Sequence, residues 1–247
     1  AHPTLIGRKN EEEAGELLQG IYWSVLGALA YTLITQFWIM VYVVSLQRNT
    51  HAPKIFHIRR LNAILRILQK QPQKLIYKSM ICDRHLEAHA DSGFSKEQES
   101  GYGIRGACIL RKGKCPKTKT TVWHLIESTC RSHKHVTRDS FSSELRSVVV
   151  CADELIFLRH IMHEIVCGTL SPQTSRVQHQ QGNYLFTAIL VTDSMSIWSG
   201  ISAVNPKPTT EKNLSVHMFW LRECLDKRLI NILRWCDTRD MLADAHT

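Results

Sequence analysis

The chain has 247 residues, 44% hydrophobic and 21% charged, with 12 Gly and 7 Pro. That composition excludes collagen, coiled coil and wholesale disorder, and supplies apolar mass for one or two packed domains. Thirty-one Lys and Arg against 22 Asp and Glu leave a formal charge of +9, which favours polyanionic partners, nucleic acid first and anionic membrane second.

Eight cysteines without a C-x-x-C pair argue against a disulfide scaffold or zinc ribbon and fit a reducing compartment. The chain opens Ala-His-Pro without an initiator Met or a visible secretory signal, so a fragment of a longer, non-secreted polypeptide is expected. Residues 10–16 form an acidic, polar lead-in. Residues 21–46 then carry no charge, and Gln36 is their only strongly polar side chain. This run is long enough to cross a ~30 Å hydrocarbon core, so a membrane anchor is one expectation. Gly27, several Ser and Thr, and flanking charges of both signs fit a pair of buried helices instead.

Residues 47–53 break the pattern. From Lys54 the apolar residues Leu61, Ile64, Leu65 and Leu68 recur at helical spacing, and Pro72 ends the helix. Arg59, Arg66 and Lys70 occupy another face of it, and residues 54–84 hold eight basic residues against one acid, Asp83. These cations are candidate contacts to a phosphate backbone. Composition changes near Met80, which predicts a basic helical region over 1–80 and a strand-rich domain over 81–247.

In the second region the patterning predicts strands over 86–91, 102–110 and 121–126, joined by turns. The loop after the second strand packs five cations into 111–119, among them Lys112 and Lys114, which are further candidates for nucleic-acid contact. A long helix is expected over 139–167, capped by Asp139 or Ser140 and closed by Gly168. A polar loop follows over 170–183, then a strand over 184–192, helices over 195–204 and 214–227, and a strand over 229–236. The order βββαβααβ is α/β, with a sheet antiparallel at one side and parallel at the other.

Four acids stand out. Asp91 closes the first predicted strand, Asp193 the strongest one, Glu144 lies in the first turns of the long helix, and Asp244 in a last helical turn. Strand carboxyl ends gather functional groups in α/β sheets. Carboxylates converging there repel one another unless a hard divalent cation, magnesium or manganese, neutralises them.

Four stretches carry a family resemblance in order. His89-Ala-Asp91-Ser-Gly-Phe, His135-Val-Thr-Arg-Asp-Ser-Phe-Ser-Ser-Glu144-Leu, Thr192-Asp193-Ser-Met-Ser196 and Asp237-Thr-Arg-Asp-Met-Leu-Ala-Asp244 resemble the ribonuclease H blocks of copia-type LTR retrotransposon Pol polyproteins. His217 to Glu223 and Ile230 to Trp235 resemble that family's His-containing helix and last strand. Upstream, Tyr22 to Thr32 and Ile58 to Gln69 resemble the end of its reverse transcriptase. The resemblance implies a ribonuclease-H-like mixed five-stranded sheet with flanking helices, preceded by a thumb- or connection-like helical segment buried in protein rather than membrane.

It further implies two divalent ions, Mg2+ or Mn2+, held by Asp91, Glu144, Asp193 and Asp244. Asp91 would bridge both, Glu144 and Asp193 would complete one site, and Asp244 the other. The implied activity is endonucleolytic cutting of the RNA strand of an RNA·DNA hybrid, in a cytoplasmic retroelement particle or the nucleus, with the rest of the Pol polyprotein as partner. An inactive relic that only binds nucleic acid is the alternative. The sequence departs from the family at Ser194, commonly Asn, and over 35–38, which reads Thr-Gln-Phe-Trp. No Asp-Asp pair occurs, so the polymerase's paired aspartates are not in this chain, and the family's next Lys and terminal helix would lie beyond Thr247.

Two other constellations hold metal-ligand residue types. Cys130, His133 and His135, with Cys115 or His124, are zinc-ligand types, but no second metal-spaced pair completes them. His160, His163 and Glu164 lack the four-residue His spacing of a metalloprotease helix. His217 reads as a packing or helix-start residue.

Overall fold

A computed structural model describes residues 5, 7–93, 103–134, 136–137, 139–204, 209 and 211–247, apart from the side chains of residues 82 and 83. The chain divides into two compact units, residues 1–76 and 77–247.

In the first unit the long apolar run is not one helix. It is split between α1 (Glu16–Thr32) and α2 (Met40–Gln47), and α3 (Ile55–Lys70) follows. Leu18, Tyr22, Leu26 and Leu29 form the buried stripe of α1 and pack with Val43, Leu46, Ile55, Ile58, Leu61 and Ile64. Two aromatic polar groups inside the run find protein partners. Tyr22 Oη donates to Leu46 O at 2.8 Å, and Trp23 Nε1 donates to Thr50 O at 2.7 Å.

This corrects the membrane-anchor expectation. The 17 residues of α1 give about 25 Å of helix, short of the ~30 Å core. No described helix is long and apolar enough to cross a membrane. The break falls where Thr32 Oγ1 turns back onto Leu29 O at 2.8 Å and Gln36 N bonds Thr32 O. The acidic lead-in is tied down as well, since Lys54 Nζ lies 3.0 Å from Glu11 Oε2 and Ile55 N donates to Glu12 O.

The second unit is built on one sheet of five strands, β1 (Ile81–Gly93), β2 (Ile104–Lys114), β3 (Thr121–Ser132), β4 (Thr187–Thr192) and β5 (Ile232–Trp235), in the order β3-β2-β1-β4-β5. β1 pairs antiparallel with β2 and β2 with β3, whereas β1–β4 and β4–β5 are parallel. The expected mixed five-stranded sheet with flanking helices is therefore present. The helices are α4 (Ser140–Cys167), α5 (Pro172–Gln181), α6 (Met195–Ser202) and α7 (Lys212–Asp226).

Alternation along β1 decides what faces what. Leu86, Ala88 and Ala90 point into the main core with Val148, Ala152 and Leu155 of α4, whereas Glu87, His89 and Asp91 point to the opposite face. On that face Met241, between the C-terminal turns 238–240 and 242–246, and Ala243, in the second of them, pack on Ile189 and Val191.

Two differences from the expected elements bear on the site. β1 runs on to Gly93, so Asp91 lies inside a paired strand, opposite Gly106 of β2. The segment 170–183, expected as loop, contains α5. Its composition is polar, but Ser171 Oγ accepts from Thr174 N at 3.2 Å, Pro172 opens the helix, and Gly182 ends it at φ 61°. Residues 94–102 of the second expected strand's approach, and His135, lie outside the described residues.

Candidate metal centre

Asp91, Glu144 and Asp193 converge. One carboxylate oxygen from each lies within 4.8 Å of the others, and this trio is the only cluster of three or more metal-ligand side chains among the described residues. Three elements bring it together. β1 supplies Asp91, β4 ends at Thr192 so that Asp193 leaves its carboxyl end, and the first turns of α4 supply Glu144.

Small polar residues let α4 approach β1 closely enough for this. Ser147 Oγ donates to Asp91 O at 2.6 Å, Cys151 Sγ approaches His89 O at 3.7 Å, and Ser143 Oγ bonds Ser92 Oγ. Positions 143, 147 and 151 are one stripe of the helix, so Glu144 is held beside Asp91 by its own neighbours. Asp139 caps α4, with Oδ1 accepting from Ser142 N at 2.7 Å, as its sequence predicts.

The electrostatics are those of crowded acids. Burial, with Asp91 and Asp193 adding repulsion, pushes the Glu144 carboxyl up to about 9. Burial also raises Asp91 above the ordinary carboxylate range, helped by Asp193 and Asp244 and opposed by its hydrogen bonds. Glu144 Oε2 is buried and has no hydrogen-bond partner among the described residues. An orphaned carboxylate oxygen amid two further acids is the donor set a hard divalent cation takes, so the residues present fit magnesium or manganese.

Asp244 is not among the three. It is exposed in the turn 242–246, and its tie to Asp91 runs through Thr247, whose Oγ1 donates to Asp91 Oδ2 at 2.6 Å and to Asp244 O at 3.3 Å. Asp193 is braced by Thr238 Oγ1, 2.9 Å from its Oδ2, and by Trp235 Nε1, 2.9 Å from its carbonyl. Sequence reasoning passed over Thr247, Thr238 and Ser147, because a lone hydroxyl residue signals nothing until the fold names its partner.

The candidate nucleic-acid contacts differ in their surroundings. Arg59 donates to Arg8 O at 2.7 Å and to Asn10 Oδ1, so its guanidinium fastens the lead-in to α3, whereas Arg66 and Lys70 are exposed on that helix. Lys112 stands 4.7 Å over the Trp123 ring, and Lys114 is exposed at the end of β2. Of the zinc-type residues, His133 is held by Ser92 and Ser143 instead of a thiolate.

Fold and site together define an α/β protein with a carboxylate cluster at the strand ends, suited to a hard cation. No family model matches the chain, and no curated protein matches it. Among solved structures it is similar to the N-terminal ribonuclease H domain of Rv2228c from Mycobacterium tuberculosis, at 13% identity and a TM-score of 0.39, over 67% of this chain and 91% of that one. It is similar also to LC11 ribonuclease H1 from compost, solved with an RNA/DNA hybrid, at 10% identity and 0.42, over 65% and 92%. A third is the protease–reverse transcriptase of Prototype Foamy Virus, at 12% identity and 0.33, over 69% of this chain and 20% of that one. These likenesses are remote, and the functional reading rests on this chain's own carboxylates.

Proposed function

We propose that this chain is the ribonuclease H of a copia-type retrotransposon polyprotein, cutting the RNA strand of RNA·DNA hybrids in a reaction that depends on a divalent cation. The observation that carries this reading is the convergence of Asp91, Glu144 and Asp193 within 4.8 Å. The ordered sequence blocks around these acids support it. On the same reading, residues 1–80 are a thumb- or connection-like remnant of reverse transcriptase, and the chain works beside other parts of the Pol polyprotein in a cytoplasmic particle or the nucleus.

Asp91, Glu144 and Asp193 would hold the cation, with Asp244 completing a second position. When bound, divalent ions activate water for attack on a phosphodiester and stabilise the leaving 3′-oxygen. The chain's own residues set up that chemistry. Thr247 and Thr238 orient Asp91 and Asp193 by donating to one oxygen of each, which leaves the remaining lone pairs for a ligand. Glu144, whose carboxyl burial and its acidic neighbours keep protonated at pH 7, would give up its proton to a bound cation. Recognition of a hybrid would rest on backbone shape and 2′-hydroxyls, with Arg66, Lys70, Lys112 and Lys114 as candidate phosphate contacts.

The test is a labelled RNA·DNA hybrid incubated with the protein in magnesium, manganese or chelator, beside Asp193→Asn. Metal-dependent cutting of the RNA strand that the variant lacks is the expected result. Hybrid bound in a salt-sensitive way but left uncut would replace this reading with that of an inactive nucleic-acid-binding relic. Neither binding nor cutting would dismiss both.

A further inference from the structure

Beside the carboxylates lies a second polar cluster that the chemistry above does not use. His133, the first residue after β3, is buried with Ser92 of β1 and Ser143 of α4. Its Nε2 lies 3.0 Å from Ser92 Oγ and 3.1 Å from Ser143 Oγ, and the two hydroxyls bond each other. With the hydrogen on Nε2, the imidazole donates to Ser143, Ser143 to Ser92, and Ser92 to the Ile104 carbonyl at 3.4 Å. Each hydrogen then has an acceptor, as a buried polar group requires.

The ring is itself anchored. His133 N donates to Gly103 O at 2.9 Å. Gly103 has no room for a side chain, because a Cβ there would stand 2.9 Å from Gly93 O and 3.2 Å from His133 Cδ2. Burial, followed by Arg105 and Arg146, holds the imidazole down at about 4, so it stays neutral at pH 7.

The two serines are the chain neighbours of two of the carboxylates: Ser92 follows Asp91, and Ser143 precedes Glu144. A bond that fixes Ser92 to Ser143 therefore fixes β1 to the first turn of α4 within one residue of the site. We propose that His133 is a positioning residue, whose bridge between Ser92 and Ser143 sets the separation of Asp91 and Glu144 and, with it, the affinity for a divalent cation. This rests on the metal-site reading given above.

The experiment titrates Mn2+ alone into the full chain, following free Mn2+ by electron paramagnetic resonance, for wild type, His133→Leu, His133→Gln and Ser143→Ala. His133→Leu is expected to weaken Mn2+ binding about tenfold, in the range that outer-shell partners of metal ligands command. The metal concentration for half-maximal hybrid cleavage rises by the same factor, with kcat at saturating metal near wild type. His133→Gln, whose amide nitrogen reaches the place of Nε2, recovers most of the loss. Unchanged Mn2+ affinity in a natively folded His133→Leu protein overturns the proposal. Should that variant lose its native circular dichroism, Ser143→Ala decides instead, by the same tenfold loss or its absence. A wild type that binds no Mn2+ overturns the metal-site reading and this proposal together, whereas equal, tight binding in wild type and variants overturns this proposal alone.

Discussion

Glu144 couples the protein's stability to pH. Its carboxyl is raised from the ordinary range to about 9 by burial and by the charges of Asp91 and Asp193. Between those values the folded chain binds a proton that the unfolded chain has released, so stability falls as pH rises through this window. Thermal melts in chelator should show a falling Tm from about pH 5 to 9, with the slope flattened in Glu144→Gln, which imitates the neutral acid. Added Mg2+ should raise the Tm of wild type at pH 8 and leave that of the variant unchanged. Arg159 is a residue of the opposite kind, 1% exposed and with no acidic partner among the described residues. Its guanidinium donates to the carbonyls of Phe186, Arg228 and Leu229, tying α4 to β4 and to the turn before β5. Arg159→Leu leaves buried acceptors unpaired, each worth about 1–3 kcal/mol, so a loss of about 3 kcal/mol or more is expected in urea unfolding.

At the scale of elements, α5 and the turn beyond it depend on two cap residues. Ser171→Ala removes the hydroxyl that accepts from Thr174 N, and about 1 kcal/mol of stability should go with it. Gly182 is more demanding. It sits at φ 61°, and a Cβ there would collide with the carbonyl of Lys227 at the end of α7. Gly182→Ala therefore meets both backbone strain and a fixed neighbour, and should cost about 2 kcal/mol or more by the same measurement. The contrast with α4 explains why one helix was legible and the other was not. α4 carries an apolar stripe, Leu145, Val148, Ala152 and Leu155, that announces its period. The short α5 buries only Gln178, so its sole sequence signals were Ser-Pro at the start and Gly at the end.

On the scale of the whole molecule, a chain of net charge +9 concentrates three acids at one point of its sheet. Without cation the negative charge left on this cluster, once Glu144 is protonated, repels a phosphate backbone while the basic surface attracts it. Hybrid affinity measured in chelator should fall tenfold or more between about 50 and 200 mM salt, the signature of counterion release. Added magnesium should tighten binding in wild type but not in Asp193→Asn. The apolar run 21–46 offers a complementary test. Since Tyr22, Leu26 and Leu29 are already buried against α2 and α3, the chain should stay with the pellet-free aqueous fraction when floated with neutral liposomes.

Local patterning determined a good part of this protein. The period-2 alternation of β1, the 3.6-residue stripes of α3 and α4, and the placing of Asp193 just past a strongly apolar strand were all readable in the sequence, because each depends on neighbours a few residues away. The same patterning could not tell a membrane span from two buried helices, since both are apolar; the partner for Tyr22 Oη, 24 residues on at Leu46, decides that. Nor could it gather a site. Asp91, Glu144 and Asp193 stand about 50 residues apart, and only the pairing of β1 with β4, and the hydroxyl stripe that lays α4 against β1, bring their oxygens within 4.8 Å. Tertiary structure also parted Asp244 from the trio and revealed Thr247 as its link to Asp91, because a hydrogen bond of 2.6 Å across 156 residues leaves no trace in local sequence.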